Sequence, residues 1–217
     1  MSISRDDYMK TILELGGSDK KIANKAIRQV LDVSAASVTE MLNRLQAEEL
    51  IAYTPYQGVM LTDQGRLFAL QVLRLHRLWE VFLYEKLNYS LDEVHEEAEK
   101  LEHMASPQFI DRLEAYLDYP AYCPHGGAIP NKDGKSEPEA KLALAQVPAG
   151  SKLELRRVVD EKELLAYIER SQLKLNQTYL LAEIDPYSET YQLVDQAGQE
   201  YRIVSKVAKQ IFVNIID

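Results

Sequence analysis

Cysteine is nearly absent: Cys123 is the only one in 217 residues. A disulfide framework within the chain is therefore excluded, and a reducing cytoplasm is the expected setting. No apolar run approaches the roughly 20 residues that cross a bilayer, and the stretch from Met1 to Lys10 is polar, so neither a membrane span nor a secretory signal is expected. Internal repeats and low-complexity segments are missing as well, which excludes a repeat architecture. There is no surplus of basic residues either: the net charge is −9, against a nucleic-acid footprint spread over the whole chain. The charge is unevenly placed, however. Residues 1–75 carry nine Lys/Arg and nine Asp/Glu, so all the net acidity lies beyond them. An acidic chain can still bind DNA through a module that presents its bases locally, and bound divalent cations can offset its carboxylates. Composition is otherwise ordinary, at 46% hydrophobic and 27% charged residues, and the length accommodates one large or two to three small domains.

The first third reads as helices and a hairpin. Tyr8, Met9, Ile12, Leu13 and Leu15 have helical spacing after Asp6 and Asp7, and Gly16-Gly17 ends that helix. A second helix over Asn24–Leu31 turns Ile27, Val30 and Leu31 inward. After the turn at Asp32-Val33, Ser34 caps a third over Ala35–Glu49 that buries Val38, Met41, Leu42 and Leu45. Two helices joined by a tight turn make a helix-turn-helix. The hairpin of residues 50–62, turning at Tyr56-Gln57-Gly58, supplies a wing directly after it. The DNA-facing candidates are Ser34, Ala36, Ser37, Thr39, Glu40 and Arg44 on or capping the third helix, Lys25 and Arg28 on the second, and Tyr56 and Gln57 at the wing tip. Small hydroxyls let a helix approach base edges and phosphates closely. Thr62 then caps a helix from Asp63 to about Leu87. It is apolar on more than one face and must pack against several elements or a second chain.

The stretch Leu91–His103 lacks Pro and Gly and reads as one helix. His95, Glu99, Glu102 and His103 fall at i, i+4, i+7 and i+8, which puts two imidazoles and two carboxylates on one face beside an apolar stripe of Val94, Ala98 and Leu101. Such a face can ligate a metal, or it can be a solvated acidic face with two incidental histidines. His76 and Glu80, at i and i+4 on the preceding helix, are a ligand pair or a surface ion pair. Another helix follows Pro107. Residues 118–140 form a Pro/Gly-rich loop containing Cys123-Pro124-His125-Gly126, whose thiol and imidazole suit a soft-to-borderline cation. From Leu142 onward six short β-like runs, interrupted by a helix over Glu161–Ser171, suggest a small barrel.

Together the winged helix, the long helix, the His-x3-Glu-x2-Glu-His helix and the terminal barrel resemble the diphtheria-toxin-repressor family of metal-dependent repressors. The Cys-Pro-His-Gly loop is similar to that of its three-domain, manganese-responsive subgroup from Gram-positive bacteria. The resemblance implies a mainly α chain with three parts. These are a winged-helix DNA-binding domain (1–73), a helical metal-binding and dimerisation domain (74–141) and an SH3-like, FeoA-like domain (142–217). It implies a primary metal site of Asp7, Glu99, Glu102 and His103, joined by Cys123 and His125, and a secondary site of His76, Glu80 and His95 with Asp160 arriving from the barrel. Iron-type members carry Met and Cys where this chain has Asp7 and Glu99. Hard carboxylates favour Mn²⁺, while Cys123 admits Fe²⁺, Zn²⁺ or Cd²⁺ as substitutes.

The function so implied is a cytoplasmic repressor that, loaded with two Mn²⁺ per chain, binds a palindromic double-stranded DNA operator as a homodimer and controls metal-uptake genes, with no membrane partner and no catalysis. A cluster of Asp7, Glu99 and Glu102 is expected to repel itself until a metal ties the first helix to the fifth. Two other readings are compatible with the residues: a winged-helix regulator that senses an organic ligand or partner, and a dinuclear metallohydrolase.

Overall fold

The computed structural model describes residues 4–104 and 106–216. Residues 1–3 and 217, at the outer limits of the expected domains, and residue 105 lie outside it. Two compact units result. One comprises residues 1–76, 102–105 and 130–136, and the other residues 77–101, 106–129 and 137–217.

The first unit begins with α1 (Arg5–Glu14). Ser4 and Asp7 form a reciprocal capping box at its start, with Ser4 N–H donating to Asp7 Oδ2 at 2.6 Å. Helices α2 (Asn24–Leu31) and α3 (Ala35–Ala47) follow, joined through Asp32 in the left-handed region at φ 48°. Strands β1 (Ile51–Thr54) and β2 (Gly58–Leu61) pair antiparallel, Tyr53 opposite Val59. Tyr8, Met9, Ile12, Ile27, Val38, Leu42, Leu45 and Val59 are buried in one core beneath them. The inward expectation for Val30 is corrected. It is 56% exposed, because the eight-residue α2 has a single fully enclosed position, Ile27.

Helix α4 (Asp63–Leu87) starts in this unit, and the boundary between the units falls within it, after His76. Its first turn needs Gly65, where a Cβ would stand 1.7 Å from the Leu50 carbonyl oxygen.

In the second unit α5 (Leu91–Leu101) buries Val94 and Ala98 against Leu83 of α4, and α6 (Pro107–Tyr116) is capped by Ser106. The expected unbroken helix to His103 is corrected. The α-helix stops at Leu101, and Glu102–Met104 form a single 3₁₀ turn belonging to the first unit. The tighter 3₁₀ turn breaks the 3.6-residue spacing on which the four-residue metal face was read.

The C-terminal strands are β3 (Leu142–Ala143), β4 (Lys152–Val158), β5 (Thr178–Asp185), β6 (Thr190–Asp195), β7 (Glu200–Val204) and β8 (Ile211–Ile215). They form one antiparallel sheet in the order β3-β8-β4-β5-β6-β7. Among the described residues the sheet is not closed, so an open six-stranded sheet replaces the expected barrel. The strand expected over residues 142–147 shrinks to two residues because Leu144–Gln146 turn into a 3₁₀ helix that buries Leu144. Helix α7 (Lys162–Arg170) lays Leu164, Leu165 and Ile168 on the sheet's core, and α8 (Ser205–Ala208) is one short turn.

Candidate metal centre and DNA-facing surface

Within the second unit, Glu80 on α4 and Cys123 and His125 on the 118–140 loop bring a carboxylate oxygen, a sulfur and an imidazole nitrogen within 4.8 Å of one another, all three residues buried. The loop is closed by Cys123 N–H donating to the Gly127 carbonyl and Gly126 N–H donating to that of Cys123, both at 2.8 Å. Gly126 has φ 82°, and a Cβ there would lie 1.9 Å from the Arg156 carbonyl oxygen, so only glycine lets the loop lie against β4. His125 is held from two sides. Its carbonyl accepts from Val158 N–H at 3.0 Å, and its Nε2–H donates to the Leu91 carbonyl at 3.0 Å.

That second bond fixes the tautomer and leaves Nδ1 facing the pocket. Nδ1 is 3.3 Å from Glu80 Oε1 and 3.7 Å from Asp160 Oδ2, yet it is buried and makes no aligned hydrogen bond. Asp160, which follows β4, and His95 of α5 complete the surroundings. His95 Nδ1 is 2.6 Å from Asp160 Oδ2 and 3.6 Å from Glu80 Oε1, and its Nε2 is 3.4 Å from Glu99 Oε1.

The titration behaviour follows from this packing. Burial opposes a charge on His95, but Asp160, Glu80 and Glu99 outweigh it and push its pKa up to about 12. Burial likewise opposes a charge on His125, and the Glu80 carboxylate and Cys123 overcome it, holding its pKa well above the usual range. The Cys123 thiol is pushed up by burial and by Glu80. Protons thus occupy a pocket of nitrogen, sulfur and carboxylate donors, which is the arrangement a divalent cation would exchange into. The unpaired, buried Nδ1 of His125 is what such an ion would satisfy.

A second cluster lies in the first unit. Asp7, Glu102 and His103 place ligand atoms within 4.8 Å of one another, and His103 Nε2 is 3.2 Å from Asp7 Oδ1. His76 Nδ1 is 2.5 Å from Glu102 Oε2. Lys10, which sequence reasoning missed, donates from Nζ to both Glu102 oxygens, at 2.9 and 3.0 Å. Its one signal was its place one turn after Asp7. Burial would raise the Glu102 pKa, but His76 and Lys10 lower it overall. The expected self-repulsion of Asp7, Glu99 and Glu102 is corrected on two counts. Glu102 is already neutralised, and Glu99 pairs with His95 in the other unit. Within the second unit, Glu80, His95 and Asp160 of the expected secondary set lie together, and Cys123 and His125, expected with Asp7, meet Glu80 and Asp160 there.

The candidates for contacting DNA, Lys25, Arg28, Ser34, Ala36, Ser37, Thr39, Glu40, Arg44, Tyr56 and Gln57, are all exposed. Several are engaged locally. Ser34 Oγ accepts from Ser37 N–H at 3.0 Å, Thr39 Oγ1 donates to the Ala35 carbonyl at 3.0 Å, and Arg44 Nε donates to Glu48 at 3.2 Å. Lys21 Nζ donates to Gln57 at 2.8 Å, and Tyr56 beside it is fully exposed at the wing tip.

Comparison with known proteins identifies the family. Residues 1–59 match the family described as iron dependent repressor, N-terminal DNA binding domain, and residues 62–131 its metal binding and dimerisation domain. The manganese regulator SloR is 40% identical, with all of both chains covered and a TM-score of 0.79. The chain belongs to the iron-dependent (diphtheria toxin) repressor family. ScaR, in a crystal structure with bound Zn²⁺, is 42% identical over 99% of this chain and 100% of its own, with a TM-score of 0.81. The diphtheria toxin repressor of Corynebacterium efficiens is 29% identical over 163 residues, 73% of this chain and 70% of its own. The protein is accordingly a metal-dependent, DNA-binding transcriptional repressor and not an enzyme, which removes the hydrolase reading. No helix among the described residues is long and apolar enough to cross a membrane.

Proposed function

We propose that this repressor senses Mn²⁺ through two sites per chain and, once loaded, binds a palindromic operator as a homodimer to shut down metal-uptake genes in the cytoplasm. The observation that carries the reading is the buried Glu80–Cys123–His125 pocket with the unpaired Nδ1 of His125. One site is assigned to Glu80, Cys123, His125 and Asp160, with His95 beside them. The other is assigned to Asp7, Glu102 and His103, with His76 alongside Glu102. Glu99, half-exposed and paired with His95, is an outer partner of the first site. Each set holds two carboxylates beside imidazole, which suits Mn²⁺, and the Cys123 sulfur admits Fe²⁺, Zn²⁺ or Cd²⁺. Manganese in the name of SloR and Zn²⁺ in the ScaR structure are consistent with that donor mixture.

The proposed mechanism is a population shift driven by differential metal affinity. An ion held by Asp7 and by the turn after α5 restrains α1, whose inward residues Tyr8, Met9 and Ile12 share the core of the helix-turn-helix. An ion at Glu80 ties α4 to the Cys123–His125 loop and to Asp160 after β4. The divisions 1–73, 74–141 and 142–217 remain the proposed functional segments, the last of them an SH3-like, FeoA-like domain. For the homodimer contact we assign the aromatic cluster of α4 and α6. Trp79 stacks on Phe109 at 5.4 Å between ring centroids, Phe82 lies 6.3 Å from Tyr116, and Phe109 and Tyr116 are exposed apolar rings within the match to the dimerisation domain. A two-fold pair of α3 helices would read two half-sites.

Fluorescence anisotropy on DNA from upstream of the protein's neighbouring genes, first in EDTA and then with rising Mn²⁺, tests the proposal. A large gain in affinity with Mn²⁺ that is lost in Asp7→Ala is expected. Equal binding in EDTA would remove the metal switch.

A further inference from the structure

Lys10 lies inside the Asp7 cluster. It is 5% exposed, and its ammonium donates to both oxygens of Glu102, whose side chain is fully enclosed. The same ammonium stands 3.4 Å from His76 Nδ1. Asp7 precedes it by one turn of α1, so the two side chains leave neighbouring positions on the helix. An enclosed ammonium and an enclosed carboxylate are tolerated when each compensates the other, and removing one strands the other. Lys10 therefore compensates the very carboxylate that a divalent ion at Asp7, Glu102 and His103 would require.

The geometry points to Lys10 as a resident cation, an ammonium that holds Glu102 until a divalent metal displaces it and so sets the concentration at which this site fills. The inference rests on the proposed metal role of Asp7, Glu102 and His103. Two physical consequences follow from it. With Lys10 in place the cluster is charge-compensated and packed without metal, so α1 keeps its position at low metal. An incoming ion then meets both the repulsion of a unit positive charge and a carboxylate whose two oxygens are already accepting hydrogen bonds. The lysine stem has four rotatable methylenes and can swing its head aside, so the barrier is an equilibrium competition and not a block. The lysine-guarded site should consequently fill only at raised metal concentration, and would report metal excess.

Mn²⁺ binding to the full-length chain, followed by the electron paramagnetic resonance of free Mn²⁺, tests this in wild type, Asp7→Ala, Lys10→Met and Lys10→Arg, alongside thermal unfolding of each metal-free protein. Wild type should bind two ions unequally, and Asp7→Ala should lose the weaker. Lys10→Met should tighten the weaker ion by about tenfold or more and leave the tighter one alone, whereas Lys10→Arg, which keeps the charge, should not tighten it. Metal-free Lys10→Met should melt lower than wild type and recover more of its Tm on adding Mn²⁺. A folded Lys10→Met with an unchanged or weakened second constant would make Lys10 a structural ion pair and overturn the inference while sparing the metal site. Retention of both ions by Asp7→Ala would overturn the metal site and the inference together. Should Lys10→Met not fold, Lys10→Gln, which keeps a donor without the charge, carries the same expectation.

Discussion

His125 donates its Nε2–H to the Leu91 carbonyl at 3.0 Å, and this one bond turns the other ring nitrogen toward Glu80. A carbonyl can only accept, so Nε2 carries a proton and Nδ1 is the nitrogen available to a metal that displaces its own proton. The start of α5 thereby fixes the protonation pattern of a loop some thirty residues later. Three expectations follow from how that loop is held and charged.

The loop is braced from behind by Glu139. Its Oε1 accepts from Ala128 N–H at 2.8 Å and from Arg77 at 3.1 Å, and Arg77 also donates to the Ala128 carbonyl. Glu139→Ala should loosen Cys123 and His125 without touching a ligand atom. The expected loss in Mn²⁺ affinity at that site is about tenfold to a hundredfold, with the other equivalent unaffected, as measured by calorimetric titration. An unchanged affinity would mean that the loop holds itself.

Cys123 is the one sulfur donor in a set otherwise made of oxygen and nitrogen. Cys123→Ser should weaken Zn²⁺ and Cd²⁺ far more than Mn²⁺, by about a hundredfold against a few-fold. Competition against a chromophoric chelator reads the two ratios. Equal losses for all metals would show that the sulfur serves packing rather than metal choice.

His95 makes metal binding pH-dependent. In the metal-free chain its pKa is raised from 6.5 to about 12, so it is an imidazolium at neutral pH, and a cation held beside it at Glu80 and Asp160 would weaken that charge or expel the proton. Metal affinity should rise with pH, and calorimetry in buffers of different ionisation enthalpy should detect proton release that diminishes in His95→Gln. The same shift acts on folding. A group whose folded pKa lies above its unfolded one contributes stability that is complete below about pH 6.5 and is lost progressively as pH climbs toward the folded value. Metal-free protein should therefore melt lower at pH values well above neutral than at mildly acidic ones, and His95→Gln should flatten that dependence. A slope of opposite sign, or one unchanged in the variant, would assign the effect elsewhere.

Local signals accounted for most of the fold. The helical spacing of Tyr8, Met9 and Ile12, the Ser34 cap before α3, the Tyr56–Gly58 turn and the uninterrupted run from Asp63 to Leu87 all became the elements they predict. Each is a rule acting within a few residues, and the chain obeys it wherever tertiary packing agrees. The misses occurred where that agreement ends. Leu144–Gln146 reads as the continuation of a strand from Leu142, yet it turns to bury Leu144 in the core of the sheet. Closure of the sheet depends on pairing between distant edges, which spacing along the chain cannot decide.

By itself the sequence determined the repertoire of donors, the family and the order of elements, because these depend on residue identity and short-range periodicity. Only the tertiary structure decided how the donors are shared. It ended α5 at Leu101, so that Glu102 and His103 turn toward Asp7 while His95 and Glu99 stay behind with Asp160. It also carried Cys123 and His125 to Glu80 and buried Lys10 against Glu102. A set of donors is a meeting of side chains within a few ångströms from segments as distant along the chain as those of Asp7 and His103. No periodicity reaches that far; packing and charge compensation settle it once the backbone has folded.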